Sequence, residues 1–431
     1  MKKAADNSST PVDTHRFHSI DYVKITVFGF ALAALWSSLH TVILQVRLLD
    51  FVAESQKNTY LGFLSSAGLI LAMVVQPIAG AISDRSGFRW GRRRPYILLG
   101  TILTVLLLPG IALCSSYTAL FIIYCWLQVS SNMVQGPFQG FIPDLVPQEK
   151  RGTASGVKTL FELLGGIALL CLISPFMDHY LLGEGNLWLW LALIIPAIVL
   201  LGMMIATVIM VKEPPVIGIS RMPLLATMCK SFKIDVKANN SFVWFLVSRL
   251  LILMAFAALQ RFALYFLMDV VGIASPAAVT ANLLIVVGIC MVIAVYPAGR
   301  LADKVGRQPI VIASGLFSAV GIILLLFSTN YGYIMFCGAI LGFSGGTFLS
   351  TDWALATDLL AKGEEARYLG LTNLATAGGA ALTLLIIGPM IDFFNTCSPN
   401  LGYSIMFILC FICFVAGSLM VIKIKPGHQP I

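Results

Sequence analysis

Residues 80–95 read GAISDRSGFRWGRRRP. One aspartate and five arginines crowd a turn between two long apolar runs, 60–82 and 96–114. The rest of the chain explains the crowding. Of 431 residues, 58% are hydrophobic and 11% charged, and the mean hydropathy is +0.90; a soluble domain carries about 25% charged residues. Many windows approach or exceed the ~18 apolar residues that mark a helix crossing ~30 Å of hydrocarbon. No single soluble core hides so many such segments, so the chain reads as an all-α membrane protein. The net charge of +8 lies between the apolar runs rather than on a polar domain, which argues against nucleic acid as a partner and for topology signals in a lipid bilayer.

Twelve spans are expected, at 25–46, 60–82, 96–114, 117–141, 155–176, 187–211, 242–268, 278–298, 309–328, 331–356, 369–391 and 401–422. Only helices and closed barrels satisfy their backbone in lipid, and these runs lack strict alternation. With the N-terminus inside, the inner segments hold 23 of the 28 Lys and Arg residues. The outer loops hold only Arg47 and Lys57, and Lys158, Arg249 and Arg261 fall within spans. That asymmetry predicts a plasma (inner) membrane protein with both termini cytoplasmic. The run 25–46 is too long for a signal-peptide core and has no small-residue cleavage site, so it is kept as the first span. The expected layout is a tail at 1–24, a six-helix bundle at 25–211, a cytoplasmic loop at 212–240, a second bundle at 241–422 and a tail at 423–431. Most of the nine cysteines sit in apolar runs, so neither a disulfide framework nor a metal site is expected. Cys410-x-x-Cys413 lies mid-span without a further ligand. No ATP-binding motif or soluble catalytic domain is present; neither a cofactor nor enzyme activity is expected.

The opening turn recurs. Gly80-x-x-x-Asp84-Arg85-x-Gly87 returns as Gly299-x-x-x-Asp303-Lys304-x-Gly306, 219 residues later (80 to 299). Beyond it the offset is 214: Pro95 matches Pro309, Asp144 Asp358, Gly156 Gly370, Gly165 Gly379, Pro175 Pro389 and Asp178 Asp392. The five extra residues of the first copy fall between Asp84 and Pro95. Two similarly oriented six-helix halves are the sequence form of a parallel-repeat transporter.

On these residues the chain resembles the major facilitator superfamily, whose loop between spans two and three reads G-x-x-x-D-R-x-G-R-R/K and recurs weakly between spans eight and nine. The longer form SDRSGFRWGRRRP is similar to the sucrose/proton symporter branch and to the glycoside–pentoside–hexuronide cation symporters. The likeness is sharp at 80–95 and weaker at IPDLVPQEKRGTASG (142–156) and DWALATDL (352–359). It implies two pseudo-symmetric six-helix bundles with spans 1, 4, 7 and 10 around a central cavity. Two features depart from it. The plant sucrose symporters carry an acid in span one, where this chain has Trp36, Ser37, Ser38, His40 and Gln45. Sodium-coupled relatives use acids in span two, where it has Gln76. The expected gating loop comprises Gly80, Asp84, Arg85, Gly87, Arg92 and Arg93, with Gly299, Asp303, Gly306 and Arg307 as the second copy. Gly80 permits close helix approach. Asp84 is placed to accept hydrogen bonds from an arginine or a helix N-terminus of the other half, a latch on the inner side. The alternative is a topology signal and a turn.

Polar residues within the spans supply the candidate site. In span four, Gln128, Asn132, Gln135 and Gln139 fall within a ~60° arc of the helix. They form either a cavity wall or interhelical glue, and amides suit a hydroxyl-rich solute. Span seven holds Arg249 and Gln260 on one stripe and Arg261, Tyr265 and Asp269 on a second. A mid-bilayer Arg is costly, ~2.5–3.5 kcal/mol on insertion scales, and calls for a partner or water. Arg261 has a local candidate in Asp269, and Arg249 one in Asp352 of span ten. Lys158 and Glu162 in span five correspond to Thr372 and Thr376 in the repeat, so the fold does not require their charges. Glu162 or Asp352 is the expected proton carrier, with Arg249 or Lys158 as counterion; a static ion pair is the alternative. His40 stands near Ser37 and Thr41 as a titrating or a hydrogen-bonded pocket residue. Span ten offers Gly345 and Gly346 for bending, Ser344, Thr347 and Thr351 as polar contacts, and Trp353, with Trp36, for stacking on a sugar ring or anchoring at the interface.

The expected function is secondary transport by alternating access. Its small-molecule substrate is polar and sugar-like, taken up with protons. Proton-driven export of a hydrophobic compound is second, and a non-transporting sensor or assembly factor is third.

Overall fold

Long apolar runs give long helices here. The computed structural model describes residues 18–88, 90–213, 240–327, 330–359 and 365–424, all helices and short connections. The expected tail at 423–431 and the loop at 212–240 fall largely outside the described residues, as does most of the tail at 1–24. Among the described residues twelve long helices run in series: α1 (Ser19–Leu48), α2 (Lys57–Asp84), α3 (Arg94–Leu113), α4 (Tyr117–Gln139), α5 (Arg151–Leu181), α6 (Leu187–Met210), α7 (Asn240–Asp269), α8 (Pro276–Val305), α9 (Arg307–Leu326), α10 (Tyr331–Asp358), α11 (Glu365–Cys397) and α12 (Leu401–Val421).

Eleven of these are long and apolar enough to cross a membrane among the described residues. The twelfth, α4, falls short because Gln128, Ser130, Ser131, Asn132 and Gln135 interrupt its apolar surface. It is nonetheless 23 residues long, or ~34 Å at 1.5 Å per residue. Several helices outrun the expected spans. The first begins at Ser19 rather than residue 25, and α11 extends to Cys397. Proline inside α2, α3, α4, α5, α6, α8 and α11 is tolerated because packed neighbours re-satisfy the freed backbone groups.

The internal repeat is visible in the packing. In the first half α1 packs on α5 and α6, α2 on α4, α3 on α4 and α6, and α5 on α6. In the second, α7 packs on α11 and α12, α8 on α10, α9 on α10 and α12, and α11 on α12. The two bundles meet along two related seams, α2 with α11 and α5 with α8. The seams gather at the end opposite the Arg-rich turn, the far end; the turn marks the basic end.

Small residues set the closest approaches. A Cβ at Gly136 would lie 2.4 Å from the Gln76 carbonyl oxygen, which fixes the α2–α4 crossing. Gly80, expected to play that part, borders the same crossing: its backbone nitrogen would lie 2.9 Å from that Cβ at Gly136, while a Cβ on Gly80 itself would meet Gly136 at an ordinary 3.8 Å. In α10, a Cβ at Gly346 would lie 2.3 Å from the Met291 carbonyl oxygen of α8. The helix runs unbroken through that point. Gly346 therefore serves the α8–α10 packing, while a Cβ at Gly345 would make only an ordinary 3.4 Å contact with Phe256.

Candidate transport site and gates

At the basic end the arginine turn is bound within its own bundle. Asp84 receives Arg93 at 2.7 Å, and Asp144 receives both Arg92 and Arg93 at 2.5 Å. The Glu213 carboxylate, just after α6, accepts the backbone N–H groups of Arg92, Arg93 and Arg94 at 2.7–2.9 Å. These are the orphan donors at the start of α3. Gly91 adopts φ +124° at that turn, a region open mainly to glycine. The partner expected for Asp84, a group of the other half, belongs to a state shut at the basic end; in this state, with the halves joined at the far end, Asp84 pairs with Arg93 of its own bundle. Arg85 is half-buried, Gly87 has open space about it, and Asp303 is exposed. In the second copy Gly306 turns at φ +103° and Arg307 donates to the Ala354 carbonyl, while Gly299 sits beside Ser350.

The joining of the halves takes place at the far end. Asp392 of α11 accepts from the N-terminus of α2: Asn58 N at 3.3 Å, Asn58 Nδ2 at 2.8 Å and Thr59 N at 2.6 Å. Asp178 of α5 does the same for α8, accepting Ala277 N at 2.9 Å and Ala278 N at 2.8 Å. Asp178 and Asp392 are repeat mates at offset 214, and Asn58–Thr59 and Ala277–Ala278 are mates at offset 219 (58 to 277). Each half thus caps a helix of the other by the same device. Beside one cap, buried Lys57 pairs with Asp269 at 2.6 Å, and Tyr403 donates to Asp269 at 2.6 Å. Ser66 donates to the Ala381 carbonyl at 2.8 Å. Asp269 is thereby taken, and the expected local pair with Arg261 is not formed.

The polar cluster lies deeper, between α1, α4 and α7. One turn of α1, Leu39–Ile43, is π-helical, and Leu44 N–H bonds to the Leu39 carbonyl. Such turns are frequent at functional sites. His40 lies on this turn with Nε2 3.0 Å from Tyr124 Oη and 3.3 Å from Gln128 Nε2. Trp36 packs on the His40 ring at 4.6 Å and donates to Ser131 Oγ at 2.8 Å. Gln128 donates to Tyr124 Oη, and Asn132 donates to Gln128 Oε1 at 3.1 Å. From the second half, Arg261 donates to the His40 carbonyl at 3.1 Å and Tyr265 to the Gln45 carbonyl at 2.8 Å.

The structure divides the expected amide stripe. Gln128 and Asn132 are buried and joined; Gln135 is half-buried and Gln139 exposed toward the basic end. Ser37 stands apart, packed near Gly166 of α5. Gln260 is exposed and lines a cavity of about 290 Å³ whose other walls, Phe256, Leu284, Met291 and Phe407 among them, are apolar. Thr347 donates to its own helix at the Phe343 carbonyl.

Two ion pairs complete the set. Arg249 and Asp352, 4% and 2% exposed, are joined within the second bundle. Arg249 also donates to Thr376 at 3.1 Å and lies 5.2 Å from the Trp353 ring. Lys158 and Glu162 pair at 3.0 Å but remain 19% and 32% exposed. Glu162 packs by Gly29 of α1, and Lys158 lies over Phe138 of α4. Sequence reasoning missed Tyr124, Glu213 and Lys57. Asp178 and Asp392 carried a signal as repeat marks, without a role.

The family profile described as MFS/sugar transport protein matches residues 27–424. The chain belongs to that family. It is therefore a multi-pass membrane transporter rather than an enzyme. Sucrose transport protein SUT1 of Oryza sativa subsp. japonica is 30% identical over 191 residues, 37% of this chain and 36% of that protein. The minor myo-inositol transporter IolF of Bacillus subtilis (strain 168) is 36% identical over 88 residues, 20% of each chain. These matches span only about a third or less of the relatives' length. The fold is that of a crystal structure of a D-xylose-proton symporter, with TM-score 0.74 at 16% identity, covering 96% of this chain and 100% of that one. A crystal structure of a point mutant of the nucleoside transporter NupG matches with TM-score 0.73 at 12% identity, covering 94% and 99%.

Proposed function

We propose that the protein moves a small polar, sugar-like solute across the plasma membrane by proton symport, with both termini cytoplasmic. The observation that carries this is the cluster of His40, Tyr124, Gln128 and Arg261, drawn from both bundles between α1, α4 and α7. Such a meeting of hydrogen-bonding groups suits hydroxyls, and it changes when the bundles rock. The sucrose, myo-inositol and xylose named by the relatives support the same substrate class.

The described state is closed at the far end, by the two aspartate caps and the Lys57–Asp269 pair. Those contacts part when the site opens to the other side. The boundaries proposed for the bundles are 25–211 and 241–422. Glu162 loads the proton. Its carboxylate is partly reachable and held by Lys158, whereas Asp352 is sealed against Arg249. Protonating Glu162 frees Lys158 from its partner, which couples the proton to the wall of the first bundle.

The test uses the purified chain in liposomes with an imposed pH gradient, acid outside. Accumulation of labelled myo-inositol or a hexose is expected, and Glu162→Gln abolishes accumulation while sparing substrate exchange. Undiminished accumulation in Glu162→Gln removes the coupling assignment. Outward pumping of a hydrophobic dye, or no flux of any solute, removes the symport reading.

A further inference from the structure

In α10, glycines stand where α4 carries polar side chains. At offset 214, Gly338, Gly342, Gly345 and Gly346 take the places of Tyr124, Gln128, Ser131 and Asn132. A repeated hydrogen bond fixes the register. Thr104 and Ser130 bond at 2.9 Å in the first half, and their mates Ser318 and Ser344 bond at 2.8 Å in the second. Gly342 and Gly346 serve packing, since a Cβ at either would collide with the Val287 or Met291 carbonyl oxygen of α8. Gly338 and Gly345 instead line the apolar cavity of about 290 Å³ in the second bundle. From this we infer that the second bundle holds a binding site of its own, for a small uncharged aromatic molecule, between α7, α8, α10 and α12.

The cavity lies between two packed pairs, α7 with α12 and α8 with α10. Each pair is closed within itself. Gly342 and Gly346 bring α10 onto α8, and the Phe256–Phe414 and Phe266–Phe407 ring contacts, at 4.9 and 5.0 Å, join α7 to α12. The two exposed members of the lining, Gln260 of α7 and Leu349 of α10, mark the mouth between those helices. Water fills such a space poorly, because a buried water wants roughly 2–4 polar partners. The lining offers one polar side chain, Gln260. A charged guest would be buried without a counterion, and a lasting void of this size is foreign to native packing. Phe256, Phe262, Phe266 and Phe407 present rings, and Met291 and Met406 present sulfurs. Both favour an aromatic guest, by edge and offset contacts. The volume is about twice that of an engineered ~150 Å³ cavity that binds benzene, so the guest has two fused rings. A hydroxyl on it meets the Gln260 amide, which donates and accepts. A sugar is excluded, because these walls leave its hydroxyls unpaired. The guest is therefore not the transported solute, and it binds apart from the His40 cluster.

The experiment is equilibrium dialysis of radiolabelled 2-naphthol against the full-length chain in lipid nanodiscs, with empty nanodiscs as the blank. A single saturable site per chain is expected, unchanged by excess myo-inositol. Ala263→Leu pushes a side chain into the cavity and weakens binding by about tenfold or more. Should that variant not fold, Leu341→Ala decides. The widened cavity shifts the preference toward a three-ring phenanthrol by about tenfold. Naphthol uptake that never rises above the blank overturns the inference, as does saturable binding indifferent to both substitutions. Competition by myo-inositol makes the cavity part of the solute's passage and overturns it too. Displacement of naphthol by palmitate at a similar concentration assigns the cavity to an acyl chain instead.

Discussion

Asp144 shows what a single carboxylate does at the basic end. Burial alone would raise its pKa, but the hydrogen bonds from Arg93 and Arg92 outweigh that and hold it below the ordinary 3.8. The stabilisation is therefore present above the ordinary value and is lost as pH falls through the lower, folded value. Asp144→Asn is expected to destabilise the purified protein at neutral pH by about 1–2 kcal/mol, since the group is partly open to water. The difference from the parent closes as the pH drops below about 3.8. Thermal unfolding in detergent across that range checks it; a gap unchanged at low pH contradicts the assignment. Arg93 was legible as a member of a conspicuous cluster, but its partners were not. Asp144 lies 51 residues along and Glu213 a further 69 (144 to 213), and a local pattern carries no distance information.

Between elements, contact rather than spacing decides which glycines matter. Gly156 and Gly165 look alike in sequence, since both recur in the repeat. A Cβ at Gly165 would lie 2.1 Å from the Phe30 carbonyl oxygen of α1, whereas one at Gly156 meets nothing within 4 Å. Gly165→Ala is expected to lower stability by about 1–3 kcal/mol, the range for an overpacked contact. Gly156→Ala should be neutral or gain up to about 1 kcal/mol from helix propensity. Equal unfolding midpoints for the two variants in detergent would sink this reading. The spans were legible for the converse reason: hydropathy is a local sum and needs no partner. Their ends were not, because α1 and α11 continue as helices beyond the apolar stretch. The π turn at Leu39–Ile43 had no signature in LHTVI.

At the scale of the whole molecule, the duplication in the sequence becomes a pair of matching clasps. Both halves were legible, and the residues that clasp them were only half so. Asp178 and Asp392 stood out as mates, but they bind largely backbone N–H groups, which any residue supplies. Replacing either Asp by Ala is expected to shift the molecule toward its far-end-open state by about tenfold or more, given hydrogen bonds to charge worth ~1.5–3 kcal/mol. The readout is maleimide labelling of Ser66→Cys in a background without the native cysteines. Ser66 is fully buried in the seam, so labelling should be slow in the parent and faster in both variants. Labelling unchanged by either substitution would exclude the caps as gates.

The clasps also dictate the company that opening requires. A carboxylate torn from two peptide N–H groups cannot be left bare in a greasy seam, nor can the helix start it abandons. Both must be hydrated in the same movement, at two sites related by the pseudo-twofold. Separation of the bundles is thus a wetting transition, and high concentrations of excluded osmolytes will hold the molecule in its closed, drier form.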